Sequence, residues 1–139
     1  MIIGGVAGGA STAARLRRLD EQAEIILFEK GEYISYANCG LPYYIGGVIE
    51  ERERLFVQTP ESFKARFNIE VRIKSEVKAI EPENKQVVIK DWATGKTYRE
   101  SFDKLVLSPG AEPVLPPWEG IRTEGIFTLR NVADTDRIK

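Results

Sequence analysis

The chain has one cysteine, Cys39, in the stretch Ser35-Tyr36-Ala37-Asn38-Cys39-Gly40-Leu41-Pro42-Tyr43-Tyr44. A thiolate is a strong nucleophile, and a helix N-terminus beside it favours the ionised form. Pro42 suits the first turn of a short helix, so Cys39 is expected at or just before that helix's start. Gly40 permits close approach by a flat ligand or a sulfur atom. The opposing reading is an inert core thiol, the usual fate of a lone cysteine. Against it stand the irregular, glycine-rich setting and the polar neighbour Asn38. No second cysteine is available, so any disulfide must form with another molecule. One Cys also excludes an internal disulfide framework and a Cys-based zinc site, and no metal site is expected. With no His in the chain, a Ser-His or Cys-His pair cannot be built within it.

A second constellation lies at the start. Gly4-Gly5-Val6-Ala7-Gly8-Gly9 stands between an apolar stretch, Met1-Ile2-Ile3, and a helical pattern over 8–19. Glycines between a strand and a helix allow a tight turn and let a pyrophosphate approach the helix N-terminus. Gly4 and Gly9 fit the outer glycines of G-x-G-x-x-G, while Val6 occupies the middle position. Glu29 ends the next apolar run 20 residues after Gly9, where an acid accepts hydrogen bonds from ribose hydroxyls. A free 2′-phosphate there would be repelled. The bland alternative is a helix packed closely on a sheet, with Glu29 merely solvated.

Several elements must position these residues. Ala10, Ala13, Ala14, Leu16 and Leu19 recur at helical spacing, and Ile25-Ile26-Leu27-Phe28 reads as a strand buried on both faces. Together with the first strand they make a βαβ unit. Residues 30–58 are irregular and aromatic-rich, and Glu50 to Arg54 reads as a solvated turn of helix. Thr59-Pro60-Glu61-Ser62 starts a helix running to about Phe67. Ile69, Val71 and Ile73 alternate as a half-buried strand. Strands near 76–81, 86–92 and 97–102, joined by turn-like links, make an antiparallel β-meander. Leu105-Val106-Leu107 reads as another buried strand, 112–120 as Pro-rich and extended, and 131–139 as a helix start. Trp92 and Trp118 are expected to pack.

The 139 residues carry 42% hydrophobic and 29% charged side chains with a net charge of −1. That balance suits a globular chain and argues against general nucleic-acid binding. No run of about 18 apolar residues marks a membrane span, and a cytoplasmic location is expected.

Taken together, Gly4 to Gly9, Phe28-Glu29-Lys30, Asn38-Cys39-Gly40-Leu41-Pro42-Tyr43 and Ser108-Pro109-Gly110-Ala111 resemble the single-cysteine branch of the flavin disulfide reductases. That branch holds coenzyme A-disulfide reductases, NAD(P)H persulfide or polysulfide reductases, and NADH oxidases and peroxidases. The first two groups are the most similar, and the resemblance extends through Leu129-Arg130-Asn131. It implies a Rossmann-like α/β fold with a parallel sheet plus the meander, forming an incomplete domain. Residues 1–139 would be the N-terminal segment of an FAD-binding domain. Nicotinamide-binding and dimerisation domains would lie outside this chain, the parent enzyme would be a homodimer, and these residues alone would turn nothing over.

The resemblance also implies an FAD site with NAD(P)H as reductant. Gly4, Val6, Ala7, Gly8 and Gly9 would hold the adenine half, with Glu29 on the ribose. Val77 would offer backbone contacts near the adenine, and Lys30, Asn38, Ser108, Pro109 and Gly110 would flank the cofactor. Cys39 would sit beside the isoalloxazine ring and carry a mixed disulfide with coenzyme A, or a sulfenic acid in an oxidase. Arg130 would touch the flavin, or else form a surface salt bridge.

Ser11, Arg15 and Arg18 share one face of the first helix at i, i+4 and i+7, with Arg17 close by. Guanidinium groups on one face suit the phosphates of coenzyme A. In the resembling reductases these positions, with Ser35 and Asn38, line the coenzyme A site, and Arg66 or Lys64 adds a basic contact. The other reading is a solvated basic face with Asp20 and Glu21 as partners. An oxidase acting on oxygen needs no such arginines, so a coenzyme A disulfide or persulfide is the expected substrate. The alternatives are an NADH oxidase or peroxidase of the same branch, working through a Cys39 sulfenic acid, and a non-catalytic nucleotide-binding fragment.

Overall fold

Strand β2 (Ile26–Phe28) is buried at every residue, and its side chains divide between two cores. Leu27, with Ile25 just before the strand, joins Ile2, Ala10, Ala13, Ile34, Phe63 and Ile69 on one face. Ile26 and Phe28 join Val87 and Ile89 on the other. The alternation is that of a pleated strand covered on both sides, as its continuous apolar run predicts.

A computed structural model describes residues 1–139. The chain divides into two compact units, 1–36 with 58–109 and 37–57 with 110–139. In the first unit, β1 (Ile2–Ile3), α1 (Ala7–Leu19) and β2 form the expected βαβ motif, with β1 parallel to β2. Strand β3 (Glu70–Arg72) pairs parallel with β2, and β7 (Val106–Leu107) pairs parallel with β1. The sheet order is therefore β3-β2-β1-β7. Strands β4 (Ser75–Glu81), β5 (Gln86–Asp91) and β6 (Thr97–Ser101) form the antiparallel meander, with a bulge between Val77 and Ala79.

Helix α3 (Pro60–Phe67) starts where its sequence says. Thr59 accepts from the Ser62 amide, Ser62 accepts from the Thr59 amide, and Pro60 opens the first turn. It ends at Asn68, whose φ of 48° is left-handed. Phe63 fills the core and meets Phe67 edge-on at 5.3 Å.

Three expectations about burial are corrected. Helix α1 buries only Gly9, Ala10 and Ala13, while Leu16 and Leu19 are exposed. The small residues sit where the helix presses on the sheet, and its last turn lies beyond that contact. Leu107 is 58% exposed because β7 is an edge strand, so its apolar run is not a buried one. Trp92 and Trp118 are exposed rather than packed; the Trp92 indole N–H donates to Glu76 at 3.0 Å.

The second unit holds a 3-10 turn (Asn38–Gly40), α2 (Leu41–Ile45), a second 3-10 turn (Arg52–Leu55) and α4 (Val132–Ile138). The charged turn near 50–54 is anchored by Leu55, which is fully buried along with Leu41, Val132 and Thr135. Asn131 caps α4 in a reciprocal box with Asp134. No helix of either unit is long and apolar enough to cross a membrane.

Candidate functional site

The glycine turn is shaped by backbone meeting backbone. Gly4 has φ +95°, and a Cβ on it would overlap the Ser108 carbonyl. A Cβ on Gly9 would overlap the Gly4 carbonyl. Only glycine fits either position, because a carbonyl in a strand end or helix turn cannot swing aside as a side chain does. Val6, at the middle position, is the N-cap residue of α1 and offers no side-chain cap, and the first turn holds no acid. Ala7 and Gly8 are exposed. No N-cap side chain accepts from the first amides of this 13-residue helix, the condition that favours an anion there. Ser108 is fixed beside them: its amide donates to the Ile3 carbonyl at 2.8 Å, and its hydroxyl faces Gly8.

Glu29 is built into this turn. Its Oε2 accepts from the Gly5 amide and its Oε1 from the Gly31 amide, both at 2.8 Å. Its own amide donates to the Arg72 carbonyl, and its carbonyl accepts from the Ser75 amide, each at 2.9 Å. Backbone and carboxylate are both held, and each carboxylate oxygen retains acceptor capacity for a hydroxyl. Gly5 and Gly31 were not singled out by the motif, although the doubled glycine and Glu-Lys-Gly spelling mark both. Lys30 is exposed at the same strand end. Val77 lies beside the β4 bulge, opposite Ile89, and packs on the meander core.

Ser11, Arg15 and Arg18 are exposed on α1 as their spacing predicts, and Arg66 is exposed on α3 with its guanidinium 5.2 Å from the Phe67 ring centroid. Ser35 adopts a left-handed φ of 46° and donates its amide to the Gly5 carbonyl at 2.9 Å. Arg17 corrects the expectation of a third phosphate ligand. Its guanidinium donates to the carbonyls of Phe67, Asn68, Asp20 and Glu21 at 2.7–3.2 Å, clamping the end of α1 to the end of α3. Asp20 instead accepts from the amides of Gln22 and Ala23, so it is not the partner of the arginine face.

In the second unit Cys39 is exposed in the 3-10 turn before α2, and Pro42 lies in the first turn of that helix. The turn is braced from two sides. Gly40 donates to the Ala37 carbonyl at 2.9 Å, and Ala37 donates to the Leu55 carbonyl at 2.8 Å. Asn38 Oδ1 accepts from Arg130 Nη1 at 3.3 Å, and Arg130 Nε donates to the Ala111 carbonyl at 2.6 Å. Arg130 is thus a clamp between Asn38 and the 110–111 segment rather than a member of a surface salt bridge. Gly110, with φ +76°, leaves the space this guanidinium occupies. Pro109, the last residue of the first unit, and Gly110, in the second, are both exposed.

The first unit thus presents a glycine turn with a fixed acid at the next strand's end, and the second an exposed thiol on a braced turn. The chain belongs to the pyridine nucleotide-disulphide oxidoreductase family, whose profile matches residues 1–139. That family uses FAD with NAD(P)H. The chain is 46% identical to a coenzyme A disulfide reductase of Staphylococcus aureus over 138 residues, which is 99% of this chain and 31% of that protein. Its fold superposes on the crystal structure of reduced Bacillus anthracis CoADR-RHD with a TM-score of 0.96 and 60% identity, covering 99% of this chain and 25% of that one. An NAD-dependent persulfide reductase from A. fulgidus gives 0.92 and 38%, with the same coverage. A water-forming NADH oxidase from Lactobacillus brevis gives 0.91 and 27%, covering 99% and 30%. The chain therefore spans less than a third of the relatives it matches.

Proposed function

We propose that this chain supplies the FAD-binding, thiol-bearing segment of an NAD(P)H-dependent flavin oxidoreductase that reduces coenzyme A disulfide, or a coenzyme A-linked persulfide or polysulfide, through Cys39. The observation that carries the proposal is an exposed sole thiol on a braced turn, in a chain whose other unit presents the glycine turn and fixed Glu29.

The residues present fit FAD. The cradle at Gly4 and Gly9 would be filled by a Cβ, the start of α1 lacks a side-chain cap, and Glu29 is held with acceptor capacity to spare. Val6, Ala7, Gly8 and Gly9 would take the pyrophosphate and Glu29 the ribose hydroxyls. Lys30, Val77, Ser108, Pro109 and Gly110 would flank the cofactor, and the family resemblance adds Asn38 and Arg130 to that set. Bound there, FAD supplies two-electron transfer from NAD(P)H to sulfur.

The chemistry of this chain's own residues centres on Cys39. Its thiolate attacks one sulfur of coenzyme A disulfide; a Cys39–sulfur bond forms and one coenzyme A thiolate leaves. Two electrons from NAD(P)H then break the mixed disulfide, releasing the second coenzyme A thiol and restoring the Cys39 thiolate. Ser11, Arg15, Arg18, Ser35 and Arg66, with Asn38, would bind the coenzyme A moiety, the arginines holding its phosphates by charge-assisted hydrogen bonds. The enzyme is read as a cytoplasmic homodimer whose nicotinamide-binding and dimerisation domains lie outside these residues.

The test is NAD(P)H-driven reduction of coenzyme A disulfide by the whole enzyme. Cys39→Ser abolishes it; turnover surviving that change would overturn the assignment. Replacing Arg15 and Arg18 with Ala raises KM for coenzyme A disulfide by about tenfold or more while leaving kcat nearly unchanged.

A further inference from the structure

The last turn of α1 carries Arg18, yet it lies beyond the helix's contact with the sheet, and Leu16 and Leu19 around it are exposed. What ties this turn down is Arg17, which is half-buried between the exposed Arg15 and Arg18. We infer that Arg17 is a positioning residue for coenzyme A. It binds no phosphate itself; it fixes the end of α1 against the end of α3, so that the arginines of α1 and Arg66 of α3 grip one nucleotide together. The inference rests on the coenzyme A reading of the arginine face and deepens it.

The Arg17 guanidinium is nearly saturated. Nε donates to the Phe67 carbonyl at 2.7 Å and Nη2 to the Asn68 carbonyl at 3.0 Å. Nη1 donates to the carbonyls of Asp20 at 3.2 Å and Glu21 at 2.7 Å. Four of its five N–H groups are thereby used, which leaves no pair to chelate a phosphate. Its acceptors belong to the ends of both helices, where carbonyls lack intrahelical partners. Arg18 follows the donor residue, and Arg66 precedes the acceptor residue, of one 2.7 Å hydrogen bond. Two exposed arginines therefore leave the backbone on either side of the clamp. Arg66 is propped as well: its guanidinium lies 5.2 Å from the Phe67 ring centroid, and that ring meets the buried Phe63 edge-on at 5.3 Å. A phosphate held from two helices is sensitive to their separation, because a shift of about 1 Å takes an N–H···O bond out of its working range. A lysine at this position would keep the charge but lose the clamp, since one compact ammonium cannot span four carbonyls.

The experiment compares two substrates of the whole enzyme, coenzyme A disulfide and pantethine, which has the same disulfide arms without the nucleotide phosphates. Arg17→Lys should raise KM for coenzyme A disulfide by about fivefold and hold kcat within about twofold. It should change kcat/KM for pantethine by less than about twofold. In a background already carrying Arg18→Ala and Arg66→Ala, the same change should add less than about twofold, because the two-helix grip is already gone. Arg15→Ala combined with Arg18→Ala is the reference for the site itself. The inference fails, and the coenzyme A reading stands, if the reference pair raises KM and Arg17→Lys does not. It fails in the same way if the effect of Arg17→Lys is fully additive in the double-alanine background or falls equally on pantethine. If neither the reference pair nor Arg17→Lys raises KM, both readings fail. Arg17→Gln is the second variant should the first not fold; loss of fold in both, read by circular dichroism, would make Arg17 a residue of the fold alone and overturn the inference.

Discussion

The glycine turn and the thiol turn are held together in different ways. At Gly4 and Gly9 the constraint is backbone against backbone, and Glu29 adds two amide bonds to its carboxylate. At Cys39 the constraint is a short 3-10 turn, two backbone hydrogen bonds and one side-chain clamp through Arg130. The first arrangement suits a resident cofactor, which needs a fixed cradle and gains nothing from exchange. The second suits a nucleophile that must stay exposed while its sulfur changes partner in each cycle. Under the proposed function, rigidity belongs to the turn that would bind the cofactor, and accessibility to the turn that would react.

That contrast can be broken at several points. Gly9→Ala should have the largest effect, because its Cβ meets a carbonyl that cannot yield. We expect a loss of about 3 kcal/mol or more in thermal or denaturant unfolding, together with loss of FAD uptake. Arg130→Met removes donors to Ala111 and Asn38 and should cost about 1–2 kcal/mol. Hydrogen exchange should accelerate at the Gly40 amide and stay unchanged at the Gly5 amide; equal acceleration at both would erase the distinction drawn here. Thr59→Ala removes the cap of α3 and should cost about 1 kcal/mol, measured by denaturant midpoint, with no change in Cys39 alkylation rate.

The smallest effect is one of pH. The Arg52 hydrogen bond holds the Asp136 carboxyl below its ordinary 3.8 against a burial effect of opposite sign, and the guanidinium charge adds to it. A carboxyl lowered in the folded state contributes stability that is present above pH 3.8 and lost as pH falls through the folded value. The pair is half-exposed, so its contribution is about 0.5 kcal/mol. Asp136→Asn should flatten the acid limb of the stability curve by that amount.

Much of the first unit was legible in the sequence because local chemistry decides it. Thr59, Pro60 and Ser62 fix where α3 starts, and the Ile25–Phe28 run fixes a doubly covered strand. The Gly9-to-Glu29 spacing places an acid at the glycine turn, and the structure puts its carboxylate on the Gly5 amide. What was not legible depends on partners distant in the chain. Arg17 looked like one more guanidinium on a basic face, but its partners Phe67 and Asn68 lie about fifty residues on. Arg130 left two roles open, since neither Ala111 nor Asn38 announces itself as an acceptor. Trp92, Trp118 and Leu107 looked like core by residue type, yet nothing in their own spacing says whether a second layer covers them.

The central claim is that Cys39 exchanges with a coenzyme A disulfide selected by its phosphates. It is tested most directly by whole-protein mass spectrometry after brief exposure of the reduced chain to coenzyme A disulfide. The account predicts one coenzyme A adduct on Cys39, one equivalent of coenzyme A thiol released, and slower modification by hydroxyethyl disulfide, which carries no phosphate. No adduct, or equal rates with the two disulfides, would contradict it.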